Sequence, residues 1–264
     1  MATRVATAII GLPLLILVVW VGSPWFSVLV AVAAAIGALE MSGMARHWGD
    51  RPITPLAVLL AAALVLVAHY VGSRPSVSMT VQIIVLLWAT LSLLWLLRRD
   101  QPETSASRWL ATASVAFFIG GLLFHAPLLR SLDQGREWVL LLLLVTFATD
   151  TSAFFVGRAI GRTPLAPAMS PSKTREGAAG GVVGAGAVSC AAVYVFNLDM
   201  ALWKTLAIGI SIGIVGQVGD LVESRLKRIS GVKDSGRLVP GHGGVLDRLD
   251  SIVFNLVVVY YFVV

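Results

Sequence analysis

Residues 137–157 read EWVLLLLLVTFATDTSAFFVG, an apolar run long enough to cross a membrane as a single helix. Similar runs of roughly 18 or more residues alternate with short polar stretches along the chain. Of the 264 residues, 57% are hydrophobic and 13% are charged, whereas a typical soluble domain carries about 25% charged residues. The composition therefore excludes one soluble globular domain and predicts an integral membrane protein.

The predicted fold is all-α: a polytopic transmembrane helical bundle of about nine spans. No polar segment is long enough for an independent soluble domain, so residues 1–264 are interpreted as one membrane domain. Its N-terminal helical half is 1–136, and most of the polar chemistry lies in the C-terminal half, 137–264. The predicted spans are 6–22, 26–45, 54–73, 78–97, 108–128, 137–157, 177–197, 201–222 and 249–264.

The distribution of lysine and arginine sets the orientation. With the N-terminus inside, the inner segments carry sixteen of these residues and the outer segments four. This predicts a cytoplasmic N-terminus, two long cytoplasmic loops and an outer C-terminus. The same excess explains the net charge of +6, and because no zinc-finger spacing or other nucleic-acid motif accompanies it, no nucleic-acid partner is expected.

The two cytoplasmic loops, 150–177 and 220–250, mix acidic, basic and glycine residues. Asp150, Asp220 and Asp247 each lie at or near the cytoplasmic end of a predicted span. Ionisable groups at membrane depth are costly and usually functional. Carboxylates converging from helix ends suit a hard cation such as Mg²⁺, so these three are candidate metal ligands.

Two further acids have an alternative interpretation. Glu223 lies three residues after Asp220, and Asp250 lies three after Asp247, so each pair could share one helix face and a metal ion. Alternatively, Glu223 pairs with Lys227 four residues on, and an acid at 247 or 250 caps a helix. Sequence alone leaves both alternatives open.

Basic residues lie among these acids: Lys173, Arg228, Lys233 and Arg248. A nucleoside triphosphate site needs metal ions on the phosphate oxygens and cations that neutralise the leaving pyrophosphate. Basic loops that only fix topology and touch anionic lipid would not need interleaved acids and glycines. The pattern favours a phosphate site.

The stretch 240–244, PGHGG, combines His242 with three glycines. Glycine allows the backbone to approach a ligand closely, and a histidine there can donate to a phosphate. One histidine without a partner histidine or cysteine does not indicate zinc.

A family resemblance is carried by residues 224–250, SRLKRISGVKDSGRLVPGHGGVLDRLD. This stretch resembles the signature of the phosphatidate cytidylyltransferase family almost residue for residue. Residues 149–154, TDTSAF, and 170–177, SPSKTREG, resemble a second characteristic region. The similarity runs in register through about the last 120 residues, while the N-terminal half matches only in hydropathy and number of spans.

The resemblance implies a membrane enzyme that converts CTP and phosphatidate to CDP-diacylglycerol and pyrophosphate with one or two Mg²⁺ ions, and a catalytic C-terminal half. It implies a bacterial inner membrane, an active site facing the cytoplasm, and a homodimer, which the glycine spacing of the eighth span also favours. The implied catalytic residues are Asp220, Asp247, Lys233 and Arg248, and the implied metal ligands are Asp220, Asp247, Asp150, Glu223 and Asp250. The implied substrate-binding residues are Lys173, Ser170, Thr174, Arg228, Lys227, His242, Gly243 and Gly244.

Two rival functions remain at this point. A CTP-dependent lipid kinase would use similar residues and transfer the γ-phosphate instead. A transporter would use the intramembrane aspartates as a translocation path, but transporters often have repeated halves with matching broken helices. Here the polar residues are concentrated in the C-terminal half and no internal repeat is evident, which favours an enzyme.

Overall fold

The computed structural model describes residues 2–47, 51–71, 102–236, 238 and 243–264, and these residues are mostly helical. The helices are α1 (Ala2–Val21), α2 (Trp25–His47), α3 (Thr54–Val71), α4 (Pro102–Ala116), α5 (His125–Ser131), α6 (Gly135–Ile160), α7 (Arg175–Val195), α8 (Leu202–Ile229), α9 (Leu246–Leu249) and α10 (Ile252–Val263). A π-helical turn, Phe117–Gly121, lies between α4 and α5. Two short antiparallel strands, β1 (Pro164–Ala166) and β2 (Ser170–Thr174), form a hairpin between α6 and α7.

Most of the described helices overlap the predicted spans. Five helical segments are long and apolar enough to cross a membrane: Trp25–His47, Ala106–Ser131, Gly135–Ile160, Arg175–Val195 and Leu202–Ile229. Two shorter apolar helices, Gly11–Val21 and Thr54–Tyr70, coincide with the first and third predicted spans. The fourth span, 78–97, lies outside the described residues, and the last contains only the 12 residues of α10. The all-α membrane fold is therefore confirmed, while the count of nine spans stays a prediction.

The chain forms two compact units, each built from two separate segments. The first unit comprises Met1–Leu132 and Ile229–Asp247, and the second comprises Asp133–Arg228 and Arg248–Val264. In the first, α3 packs closely against the π-helical turn, because a Cβ at Gly120 would lie 2.7 Å from the Cα of Ala61. Leu60, Leu64 and Ala116 form a buried cluster at this contact.

Glycines let the helices of the second unit approach one another. On α8, Gly209 and Gly213 face α7, and a Cβ at Gly209 would lie 2.6 Å from the Cβ of Ser189 and 2.9 Å from the carbonyl oxygen of Ala185. One and two turns further on, Gly216 and Gly219 face α10 in the same way. These glycines therefore serve close helix packing within the chain. Because they contact helices of their own chain, their spacing no longer supports a homodimer, which stays a prediction.

Two helices extend into the segments that were predicted to be loops. Helix α6 continues through Asp150 to Ile160, and α8 continues through Asp220 to Ile229. Residues 220–229 contain no glycine or proline to end the helix, and their polar side chains are compatible with a helix as well as with the predicted loop. The helix ends just before Gly231, whose φ of +67° favours glycine.

The α7–α8 contact can be tested with two matched alanine variants. We expect Gly209→Ala to lower the melting temperature in detergent, by the equivalent of about 1–3 kcal/mol, because the added methyl group overpacks the interface. Gly186→Ala is the control, since its Cβ would meet its nearest neighbour at 3.8 Å and alanine favours a helix over glycine by up to about 1 kcal/mol. Equal melting temperatures for the two variants would contradict the close contact at Gly209.

Candidate active site

A cavity of about 430 Å³ in the second unit contains several of the predicted site residues. It is lined by the C-terminal parts of α6 and α8, the β-hairpin and the start of α7. Its lining comprises Asp150, Ala153, Phe154, Gly157, Arg158, Leu165, Ser172, Lys173, Thr174, Gly177, Ala178, Gln217 and Asp220. The structure thus brings together residues that are up to 70 positions apart in the sequence.

An ion pair between Lys173 and Asp220 lies in this cavity. The Lys173 Nζ donates to Asp220 Oδ2, and Ser224 Oγ donates to Asp220 Oδ1 at 3.3 Å. The two side chains of the pair are only 29% and 25% exposed, so solvent screens their attraction less than at an open surface. A lysine from the hairpin and an aspartate from α8 therefore form the charged centre of the cavity.

The hairpin is anchored so that Lys173 lies next to the N-terminus of α7. Thr174 is the N-cap of α7, and its Oγ1 accepts from the backbone N–H of Gly177 at 3.1 Å. The carboxylate of Glu176 accepts from the backbone N–H groups of residues 162 and 163 at 3.1 Å. The Arg175 N–H also donates to the carbonyl of Thr163 at 2.9 Å. These local bonds fix the backbone on both sides of Lys173.

Two further acids of the second unit lie within electrostatic range of this pair. Asp150 lines the cavity from α6 and interacts with Asp220, Lys173 and Arg248. Asp250 precedes α10 and interacts with Asp220 and Asp150. Gly219 permits this arrangement, because a Cβ there would lie 2.6 Å from the carbonyl oxygen of Asp250. The Asp250 carboxylate also accepts from the backbone N–H of Ser251 at 2.7 Å.

The carboxylates that line the cavity are chemically suited to bind Mg²⁺. In the described part of the chain, no three His, Cys, Asp or Glu side chains are grouped so that they alone could hold a metal ion. Mg²⁺ is usually bound by one or two carboxylates, with waters and substrate phosphates completing the octahedron. Asp150 and Asp220 line one cavity and offer such a partial set, so the residues fit the ion.

Asp247 lies in the first unit, where its carboxylate organises the loop that precedes it. Its Oδ2 accepts from the backbone N–H of Ser235 at 2.8 Å, from Ser235 Oγ at 2.9 Å and from the N–H of Gly244 at 2.8 Å. Gly243 has a φ of +87°, and a Cβ there would collide with Asp247 Oδ2. Gly243 and Gly244 therefore lie close to the Asp247 carboxylate, while their predicted close approach to a ligand stays a prediction.

Glu40 contacts the same loop as Asp247, and the sequence analysis missed it. It lies on α2, and its carboxylate accepts from Ser235 Oγ and from the backbone N–H groups of Val245 and Leu246. A signal was available, because Glu40 is an acid inside an apolar predicted span. The donors that reveal its role are far from Glu40 in the sequence.

The local alternative for Glu223 is confirmed. Lys227 Nζ lies 3.0 Å from Glu223 Oε1, one helical turn along α8, and the Glu223 side chain is only 4% exposed. This is an i,i+4 ion pair of the kind that stabilises a helix. Roles for Glu223 in metal binding and for Lys227 in substrate binding stay predictions.

The remaining predicted residues are placed as follows. Arg228 Nε donates to the carbonyl of Met169 at 3.3 Å, which ties the end of α8 to the hairpin turn. Ser170 begins β2 and is half-buried, whereas Lys233 and Arg248 are exposed. His242 lies outside the described residues, so its predicted role stays untested.

The fold and the cavity define a class: a helical membrane protein with an acidic and basic site at the ends of its helices. Comparison with known families goes further. The chain belongs to the cytidylyltransferase family, whose model matches residues 2–264. This confirms the family that the sequence motifs predicted.

Individual relatives are similar over part of their length. The chain is 43% identical over 143 residues to a phosphatidate cytidylyltransferase of Staphylococcus saprophyticus subsp. saprophyticus. It is 44% identical over 144 residues to that of Staphylococcus haemolyticus and 42% identical over 144 residues to that of Staphylococcus aureus. Each match covers 54% of this chain and 54% of the relative. The chain thus spans about half the length of the curated relatives it matches.

The anchoring of the hairpin can be tested at the N-cap. We expect Thr174→Ala to destabilise the protein by about 1 kcal/mol, because the Gly177 N–H loses its side-chain acceptor. Thermal unfolding in detergent would measure this, and hydrogen exchange of peptides covering 170–180 should become faster. Ser172→Ala is the control, since Ser172 is exposed on the same strand. Identical exchange in the two variants would contradict the capping role.

Proposed function

We propose that this protein transfers the cytidylyl group of CTP to phosphatidate, giving CDP-diacylglycerol and pyrophosphate. The observation that carries the proposal is the cavity in which Lys173 pairs with Asp220 beside Asp150. It occurs in a chain of the cytidylyltransferase family whose relatives, 42–44% identical, are phosphatidate cytidylyltransferases. A triphosphate substrate needs this combination of carboxylates for a metal ion and a cation for phosphate.

The proposed reaction needs no dedicated general base. Phosphatidate is a phosphate monoester, and the second pKa of such groups is near 6, so its oxyanion is available at neutral pH. This oxyanion attacks the α-phosphorus of CTP, and the bond from that phosphorus to the oxygen bridging to the β-phosphate breaks. Pyrophosphate leaves with the bonding electron pair. Catalysis then comes from positioning the two substrates and neutralising the charge that develops.

The residues of the cavity have separate proposed tasks. Lys173 would release Asp220 and bind a phosphate oxygen, which places a positive charge where negative charge accumulates. Asp150 and Asp220 would hold Mg²⁺, with Asp250 as a further carboxylate in range. The ion, when bound, supplies charge neutralisation on the phosphate oxygens. A metal-binding role for Asp247 and phosphate-binding roles for Lys233, Arg248 and His242 remain part of the proposal.

The proposed lipid substrate would reach the site from within the bilayer. Phe154 lines the cavity together with Asp150 and Lys173, and it is 60% exposed. An exposed aromatic ring beside charged groups suits a ligand with a polar head and apolar chains. We place this site on the cytoplasmic face of the bacterial inner membrane, with the N-terminus inside, on the strength of the lysine and arginine distribution.

Doubly labelled CTP tests the reaction. Purified protein in detergent would be incubated with phosphatidate, Mg²⁺ and CTP labelled separately at the α- and γ-phosphates. We expect the α label in lipid and the γ label in pyrophosphate. The γ label in lipid would identify a kinase and refute the proposal, as would the absence of any transfer by well-folded protein.

Single substitutions test the assigned residues. We expect Asp220→Asn and Lys173→Met each to lower kcat on the order of 100-fold or more, because each removes a charge that acts on the phosphates. Asp133→Asn, which removes an exposed carboxylate, is the control and should keep wild-type turnover. Thermal unfolding would show that the variants are folded, and near-normal kcat in folded Asp220→Asn would refute the assignment.

A further inference from the structure

Glu40 connects an apolar helix to a loop nearly 200 residues later in the chain. Its Oε2 accepts from Ser235 Oγ at 3.0 Å and from the backbone N–H of Leu246 at 2.9 Å. Its Oε1 accepts from the N–H of Val245 at 3.0 Å. Charge-assisted hydrogen bonds of this kind are stronger than neutral ones. One carboxylate therefore binds Ser235 and the backbone of Val245 and Leu246.

Asp247 also binds Ser235, together with the backbone N–H of Gly244. Ser235 Oγ lies 3.0 Å from Glu40 Oε2 and 2.9 Å from Asp247 Oδ2, so one hydroxyl contacts both carboxylates. The backbone N–H of Gly244 donates to Asp247, while the next two N–H groups, of Val245 and Leu246, donate to Glu40. Three consecutive amides are thus divided between the two acids. The position of Asp247 depends on the loop that Glu40 fixes.

Two glycines, Gly236 and Gly244, lie directly against the Glu40 carboxylate. A Cβ at Gly236 or at Gly244 would collide with the carboxylate of Glu40, and a Cβ at Gly244 would also collide with Ser235 Oγ. The absence of side chains at these two positions lets the acid reach the backbone directly. A glutamate that contributed only to helix packing would not need glycine at both of these positions.

We propose that Glu40 is a positioning residue of this enzyme: it holds Ser235 and the backbone of Val245 and Leu246 in the conformation that orients Asp247. The N-terminal half of the chain would then contribute directly to the geometry of the C-terminal motif. The inference rests on the proposed function for its catalytic consequence, while the loop geometry can be measured without any reaction.

Two variants of Glu40 separate its contributions. Glu40→Ala removes all three acceptor contacts. Glu40→Gln keeps one carbonyl oxygen as an acceptor and has a side chain of the same size, so it should retain part of the function. Ser235→Ala removes the hydroxyl that contacts both acids and leaves the backbone amides. Glu137→Ala is the control, because it removes a helix carboxylate that pairs with its neighbour Arg136.

Hydrogen exchange read by mass spectrometry tests the loop. We expect peptides covering Val245 and Leu246 to exchange roughly 10-fold faster in Glu40→Ala than in wild type, because their amides lose an acceptor and open locally. Glu40→Gln should be intermediate, and Glu137→Ala should match wild type. Wild-type exchange in Glu40→Ala would overturn the inference, whatever the reaction of the protein is.

Kinetics test the consequence for the site. Using CTP labelled at the α-phosphate, we expect Glu40→Ala to lower kcat on the order of 10-fold or more with less change in KM, because the reacting geometry is lost and binding is not. Glu40→Gln should recover part of kcat. A lower melting temperature with unchanged kcat per folded molecule would show a purely structural role and overturn the inference. If wild type transfers no α label, the proposed function fails, and the exchange measurement still decides the role of Glu40 in the loop.

Discussion

A carboxylate on an apolar helix needs hydrogen-bond donors or a cation, since ionisable groups at membrane depth are costly. Glu40 on α2 takes its donors from a distant loop. Asp220 on α8 takes Lys173 from the hairpin. In both cases a non-helical segment of the chain packs against an apolar helix and supplies a partner for its carboxylate. The hydrogen bonds to Glu40 and the ion pair with Asp220 therefore help to position the polar loops, together with the turns within the loops.

Close helix packing in the second unit also positions charged side chains. Gly219 lets the start of α10 approach α8 until Asp250 comes within electrostatic range of Asp220. Gly157 and Gly177 bring α6 and α7 together beside Thr174, where the hairpin returns Lys173 to the cavity. Close helix contacts in membranes depend on such small residues. The charged cavity is therefore a result of how tightly the surrounding helices pack.

Hydropathy predicted the membrane helices well, because runs of apolar residues leave few alternatives to a helix in a bilayer. The motif around Lys173 and Asp220 was also predictable, and the structure brings the two side chains together. The β-hairpin was not predicted, since its strands are only three and five residues long. Glu40 was missed for a different reason: its donors lie at least 195 positions away, and sequence periodicity carries no information about such pairs. The extension of α8 to Ile229 was not predicted, since polar residues alone do not distinguish a loop from the continuation of a helix.

The two discontinuous units have a consequence for how the protein is made. Each unit requires a segment that follows residue 228, so neither can be completed while the earlier part of the chain is being inserted. Ser235 leaves the ribosome 195 residues after Glu40, which at typical synthesis rates of 5–20 residues per second is a delay of about 10–40 s. During that interval Glu40 lacks the donors that contact it in the finished protein. Until Ser235 has been synthesised, the Glu40 carboxylate therefore depends on water, lipid head groups or the insertion machinery for hydrogen-bond donors.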